Sequence, residues 1–98
     1  MINDFTFSAF VEVSQHGKGA YYYVMVPHHV ADVLNNAPVL RGGFGSIKCK
    51  ATIGKTVWTT SVFPSDGLFL LLVAKKIIMS EGFHAGDKVE VTLSFSEF

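Results

Sequence analysis

Apolar and polar residues alternate along much of this chain with a period of two, the spacing of strands that bury one face. The clearest run is near the end, where Val89, Val91, Leu93 and Phe95 alternate with Glu90, Thr92 and Ser94. Just before it, Ala85-Gly86-Asp87 predicts a sharp turn, since glycine accepts positive φ and an aspartate carboxylate bonds nearby backbone N–H groups. Phe5–Val13 alternates too, with Phe5, Phe7, Ala9, Val11 and Val13 on one face and Thr6, Ser8, Phe10 and Glu12 on the other. Gln15-His16-Gly17-Lys18-Gly19 is a flexible turn, and Ala20–Val26, with its β-favouring Tyr21, Tyr22 and Tyr23, returns as a second strand. At least one of those rings must face outward, and the two strands predict a hairpin.

The period then changes. Pro27 suits the first turn of a helix, and Val30, Val33, Leu34 and Ala37 follow at helical spacing, with Asn35-Asn36 before Pro38 as the stop. Arg41-Gly42-Gly43-Phe44-Gly45 is a glycine-rich connector. Over Ser46–Pro64 two β-rich runs flank Gly54-Lys55, a two-residue hairpin turn with glycine first. Counting outward from that turn sets the register. Ile53 faces Thr56, Ala51 faces Trp58, Cys49 faces Thr60 and Ile47 faces Val62 on a core side. Thr52 faces Val57, Lys50 faces Thr59 and Lys48 faces Ser61 on a wet side. After the Ser65-Asp66-Gly67 turn, the wholly apolar run Leu68–Val73 fits a strand buried on both faces. Ala74–Glu81 predicts a second short helix ended by Gly82.

The resulting order is β-β-α-β-β-β-α-β in a single domain, residues 1–98. A mainly β fold follows: a small six-stranded barrel, closed or nearly so, with two short helices. Composition agrees. The chain is 49% hydrophobic and 16% charged, with nine Phe, three Tyr and one Trp, so it has apolar mass for one core without covalent staples. Eight basic residues balance eight acidic ones, which argues against nucleic acid as the main partner, because phosphate contacts dominate that affinity. Cys49, the single cysteine, excludes an internal disulfide and a cysteine-cluster metal site. Met1-Ile2-Asn3-Asp4 lacks the basic start and apolar run of a secretory signal, and Leu68–Ala74 is too short to span a bilayer. A cytoplasmic protein with no membrane segment is the expectation.

Taken together, Gly42-Gly43-Phe44-Gly45-Ser46-Ile47, Ile53-Gly54, Trp58-Thr59-Thr60-Ser61-Val62-Phe63-Pro64 and Gly82…Ala85-Gly86-Asp87-Lys88-Val89 resemble one bacterial family. Its members are small domains of unknown function, found alone or fused to an OmpD-associated, bacteriocin-protection-type domain. The resemblance runs from about Phe5 to Leu93. It implies an AbrB-like double-split β-barrel in which Gly86-Asp87 is a structural orthogonal turn, and it brings no catalytic residues. Where the family pattern has Pro, Lys and Arg, this chain has Leu72, Ala74 and Ile78. Positions 74 and 78 share a helical face, so any anion-binding role of that pair is lost here, although Lys75 and Lys76 lie close by.

Candidate chemistry is sparse. His28 and His29 are adjacent and diverge on a helix, so they do not form an i, i+4 metal pair. His16 and His84 sit in turns without an acidic cluster; no metal and no cofactor is expected. Cys49 falls on the inner face of the hairpin, where a thiol behaves as a small hydrophobe. Arg41-Gly42-Gly43-Phe44-Gly45 lacks a P-loop's Lys-Ser/Thr and precedes a strand rather than a helix. Paired acids and a nucleophile triad are absent, so a non-catalytic binding module is expected, not an enzyme. Exposed Tyr and Phe side chains point to a partner protein or a homodimer. The alternative is a nucleic-acid or small-anion site using Arg41, Lys48, Lys50, Lys55, Thr59 and Ser61, against the simpler reading of those lysines as a solubilising sheet face. Whether Tyr21, Tyr22, Tyr23 and Trp58 line a pocket or fill the core is left open by sequence.

Overall fold

The computed structural model describes residues 4–16, 19–38 and 41–95. Its elements are strands β1 (Phe5–Phe10), β2 (Glu12–His16) and β3 (Gly19–Val26), helix α1 (His28–Asn36), a 3-10 turn at Gly43–Gly45, strands β4 (Ile47–Ile53), β5 (Thr56–Ser65) and β6 (Leu68–Val73), helix α2 (Lys75–Glu81) and strand β7 (Lys88–Ser94). The seven strands form one antiparallel sheet in the order β1-β7-β4-β5-β6-β3-β2. The strands at its two edges, β1 and β2, are consecutive in the chain, so the sheet curls into a half-barrel whose edges meet through a single residue, Val11.

This corrects the six-strand expectation. Phe5–Val13 is two strands, and only the second half pairs with β3, as in Val13↔Tyr22. The first half pairs with β7 from Phe5↔Leu93 to Phe10↔Lys88. Val11 lies between them, 1% exposed. Its N–H donates to the Asp87 carbonyl at 2.8 Å, and its carbonyl accepts the Gly86 N–H at 2.7 Å. The break is therefore hydrogen-bonded to the Gly86-Asp87 corner, and no backbone group is lost at the bend. Residues 17 and 18 of the expected β2–β3 turn lie outside the described residues.

The β4–β5 register agrees with the count from Gly54-Lys55 at all seven positions, Ile53↔Thr56 through Ile47↔Val62. Ile47, Cys49, Ala51, Ile53 and Val62 are buried, and Trp58 is half-buried and packed on that core. β6 is not buried on both faces: Phe69, Leu71 and Val73 point inward, whereas Leu68 and Leu70 are half-buried and Leu72 is 40% exposed. In α1 the buried stripe is Val30, Ala31 and Leu34. Val33, predicted to face the core, is 44% exposed. Pro27 is the N-cap, its carbonyl accepting from Val30 and Ala31 N–H. α2 buries Ile77 and Ile78 and ends as predicted at Gly82, with the Gly82 N–H donating to Met79 and the Phe83 N–H to Ile78. α1 packs against β6 and α2 against β3, and both insert their apolar stripes among the inward residues of the sheet. No helix of the described residues is long and apolar enough to cross a membrane.

Candidate functional site

With both helices on the inside of the curl, the outer face of the sheet is where side chains meet solvent, and the strand register divides it in two. Antiparallel partners project to the same side. Lys48↔Ser61 and Lys50↔Thr59 therefore share the outer face with Lys50↔Ser94 and Thr52↔Thr92, and with Thr6↔Thr92 and Ser8↔Glu90 beyond. The Thr6 and Thr92 hydroxyls are hydrogen-bonded at 2.9 Å. This half is polar, apart from Val57.

The other half is apolar. Tyr23↔Leu72 and Met25↔Leu70 are partners across β3 and β6, and Phe63↔Leu70 carries the same row onto β5. Tyr21 joins them, its ring centroid 5.9 Å from that of Tyr23. At the bend, Phe10 and Met25 flank a depression of about 370 Å3 rimmed by Ser8 and Glu12. Phe10 is 58% exposed, Tyr21 41% and Leu72 40%, and Tyr23, Met25, Leu70 and Phe63 are half-buried. Seven large apolar side chains thus form one continuous patch, outside the core and under neither helix. Tyr22, on the opposite parity, packs against the core with Trp58, so the tyrosines divide between core and surface.

The predicted contacts for an anion do not all converge. Lys48, Lys50, Thr59 and Ser61 are brought together on β4 and β5. Lys55 sits at the hairpin tip, about 20 Å from the start of β4 at strand rise. Arg41 stands at the opposite end and serves the chain itself. Its Nη1 donates to the Gly45 carbonyl at 2.7 Å, its Nη2 to Asn35 Oδ1 at 3.5 Å, and its guanidinium lies 5.3 Å from the Phe69 ring centre. Those bonds brace a loop that carries Phe44, a ring 95% exposed on a left-handed backbone (φ 59°).

Gly86 and Asp87 are where the turn chemistry puts them. Asp87 Oδ2 accepts the His84 N–H at 2.8 Å, the His84 Nδ1 is 3.6 Å from the same oxygen, and the Asp87 N–H donates to the His84 carbonyl at 3.0 Å. Burial raises the Cys49 thiol to about 12, which removes its nucleophilic form at neutral pH. Among the described residues, no three His, Cys, Asp or Glu side chains gather into a metal-binding group.

A family model for a domain of unknown function, DUF1905, matches residues 7–93. The chain belongs to the DUF1905 family. No curated protein matches it significantly. The matched span of this DUF1905 domain contains every strand from the middle of β1 to the end of the β7 core register, and both halves of the outer face. Sequence reasoning missed the apolar patch because its β6 members lie in an unbroken apolar run, where no alternation marks the outward residues.

Proposed function

We propose that this DUF1905 domain is a non-catalytic interaction module that self-associates through the apolar half of its outer sheet face. The observation that carries this is the patch itself: Tyr23, Met25, Phe63, Leu70 and Leu72 adjoin by register on the outer face, Tyr21 joins through the Tyr23 ring, and Phe10 meets Met25 at the bend. Apolar side chains gathered in one place and rimmed by polar residues offer a surface that a partner gains by covering. A second copy suits it on two grounds. Sheet faces pack on one another about 10 Å apart, with rows of side chains interdigitating. The patch also has Glu12, partner of Tyr23, at one margin and the Lys48–Lys50 segment at the other, so a two-fold axis sets acidic against basic margins. With a formal net charge of zero, two copies carry no overall repulsion. The patch measures roughly 15 by 20 Å in plan at strand spacing, small beside the ~800 Å2 that each partner contributes to a standard interface. The dimer is therefore weak and reversible.

Sedimentation velocity from micromolar to millimolar protein tests the proposal. A monomer–dimer equilibrium is expected, shifted to monomer by Leu72→Asp, whose melting temperature should match that of the natural chain at low concentration, where both are monomeric. The same shift from Thr59→Asp, on the polar half, or a strict monomer at every concentration, would rule it out.

The same proposal takes the half-barrel to be of the AbrB-like double-split kind and the protein to be bacterial and cytoplasmic, on the resemblance of its Gly-Phe-Gly, Trp-x-Thr-Ser and Gly-Asp segments. Its relatives' fusion to an OmpD-associated domain accords with a module that brings chains together. The second reading, nucleic-acid or small-anion binding, is favoured by the convergence of Lys48, Lys50, Thr59 and Ser61 on one face. Fluorescence polarisation with labelled DNA and RNA at low salt decides it, since binding that survives Lys48→Glu with Lys50→Glu does not use this face.

A further inference from the structure

A second feature lies on the opposite side of the sheet. We propose that the depression between α2 and β3 is a binding site for a small carboxylate with an apolar or aromatic body. It is an open depression of about 340 Å3, at the lower end of the ~300–1,000 Å3 of ligand pockets. Ile78, Phe83 and Met79 supply an apolar lining. Ile78 is 2% exposed and anchored in the core, whereas Met79 is 68% exposed and can move over a bound ring, as flexible thioethers do.

Three residues with hydrogen-bonding side chains also line it: Tyr22, Lys75 and His84. Lys75 and His84 offer N–H donors and Tyr22 an O–H, and no acidic residue lines the depression. That distinguishes it from its neighbours, since the depression beside Phe10 includes Glu12 and the one beside Thr92 includes Glu90. In a chain of zero net charge such a sorting of donors is local. The site is also held in shape. The paired bonds at Gly82 and Phe83 terminate α2. Asp87, bonded to the His84 backbone N–H, lies on the Nδ1 side of the imidazole, which leaves Nε2 directed away from it. An apolar lining with one fixed cation, Lys75, and two further hydrogen-bond donors suits a ligand with one anionic end, and the charge-assisted bond to Lys75 gives the carboxylate its advantage over a neutral amide.

The test uses the intact chain, labelled with 15N and titrated with sodium benzoate and separately with benzamide, its uncharged counterpart. Benzoate is expected to give saturable shifts confined to Tyr22, α2 and Phe83–Ala85, and to bind at least about tenfold tighter than benzamide. Lys75→Gln with His84→Gln, both at exposed positions, should keep the melting temperature and abolish that preference. Equal binding of the two probes, shifts that scatter or do not saturate, or a preference that persists in the double variant would overturn the assignment. Because the depression lies on the helix side of the sheet, the result is independent of self-association through the outer face.

Discussion

At the scale of single residues, the same side-chain types do different work according to what surrounds them. Asp87 is a carboxylate beside a histidine, which looks like an acid–base pair until the hydrogen bonds are followed. Its Oδ2 holds the His84 N–H, and its backbone carbonyl holds Val11. Asp87→Ala removes the first bond in a partly exposed site. It should cost about 1 kcal/mol and lower the melting temperature by roughly 4–8 °C, with benzoate and self-association otherwise retained; unchanged melting with either activity lost would contradict this role. Cys49 is the opposite case, a chemically capable group silenced by burial. Its thiol ionises near 9.0 when unfolded and about 12 when folded. The unfolded chain therefore loses the proton first, and stability falls as pH rises from about 9 to 12. Urea denaturation across that window should show a steeper loss for the natural chain than for Cys49→Ala, whose difference from it should be constant below pH 8. Phe44 shows what no residue-level reading reveals: on the glycine-rich connector its side chain is almost wholly exposed.

At the scale of elements, the β4–β5 hairpin shows how a local motif is completed from a distance. Gly54-Lys55 sets the register unaided, and Gly54 has the positive φ (60°) that this turn needs. Glu81, at the end of α2, then reaches across. Its Oε2 accepts the Lys55 N–H at 3.2 Å and the Thr56 hydroxyl at 2.6 Å, and a Cβ at Gly54 would overlap the carboxylate. The helix end is thereby bonded to the hairpin tip. Glu81→Ala should destabilise by about 1–2 kcal/mol and Thr56→Val by about 1. The double variant should be less destabilised than the sum, because both changes break one interaction. Chemical denaturation of the four proteins of that cycle checks it, and strict additivity would mean that the two groups are not coupled in solution. The hairpin register was legible in sequence because it depends on counting from one turn. The Glu81 contact was not, since nothing in a seven-residue helix tells which distant turn its last side chain will meet.

At the scale of the whole molecule, the fold depends on one strand being divided between two edges. β1 and β2 pair with opposite ends of the sheet order, and the bonds from Val11 to the Gly86-Asp87 corner keep the bend closed. The resulting curl leaves one face to the helices and the other to solvent, and the solvent face is half apolar. If that half is covered by a second copy, the melting temperature should rise with protein concentration, because dimerisation stabilises the folded chain by mass action. Leu72→Asp should flatten that dependence. By itself the sequence determined the two helices, the strands other than the division of Phe5–Val13, the β4–β5 register, the helix stop at Gly82 and the corner at Asp87. Each of these is set by contacts within a few residues of its own position, through side-chain period, backbone conformation or local hydrogen bonding. Only the tertiary structure decided that Phe5–Val13 breaks at Val11, that Leu72 faces out while Leu71 faces in, and that Lys75 and His84 adjoin Tyr22. Those outcomes turn on which distant strand pairs with which. The alternation across Val11 continues unchanged while the partner changes, and an all-apolar strand carries no mark of its outer side.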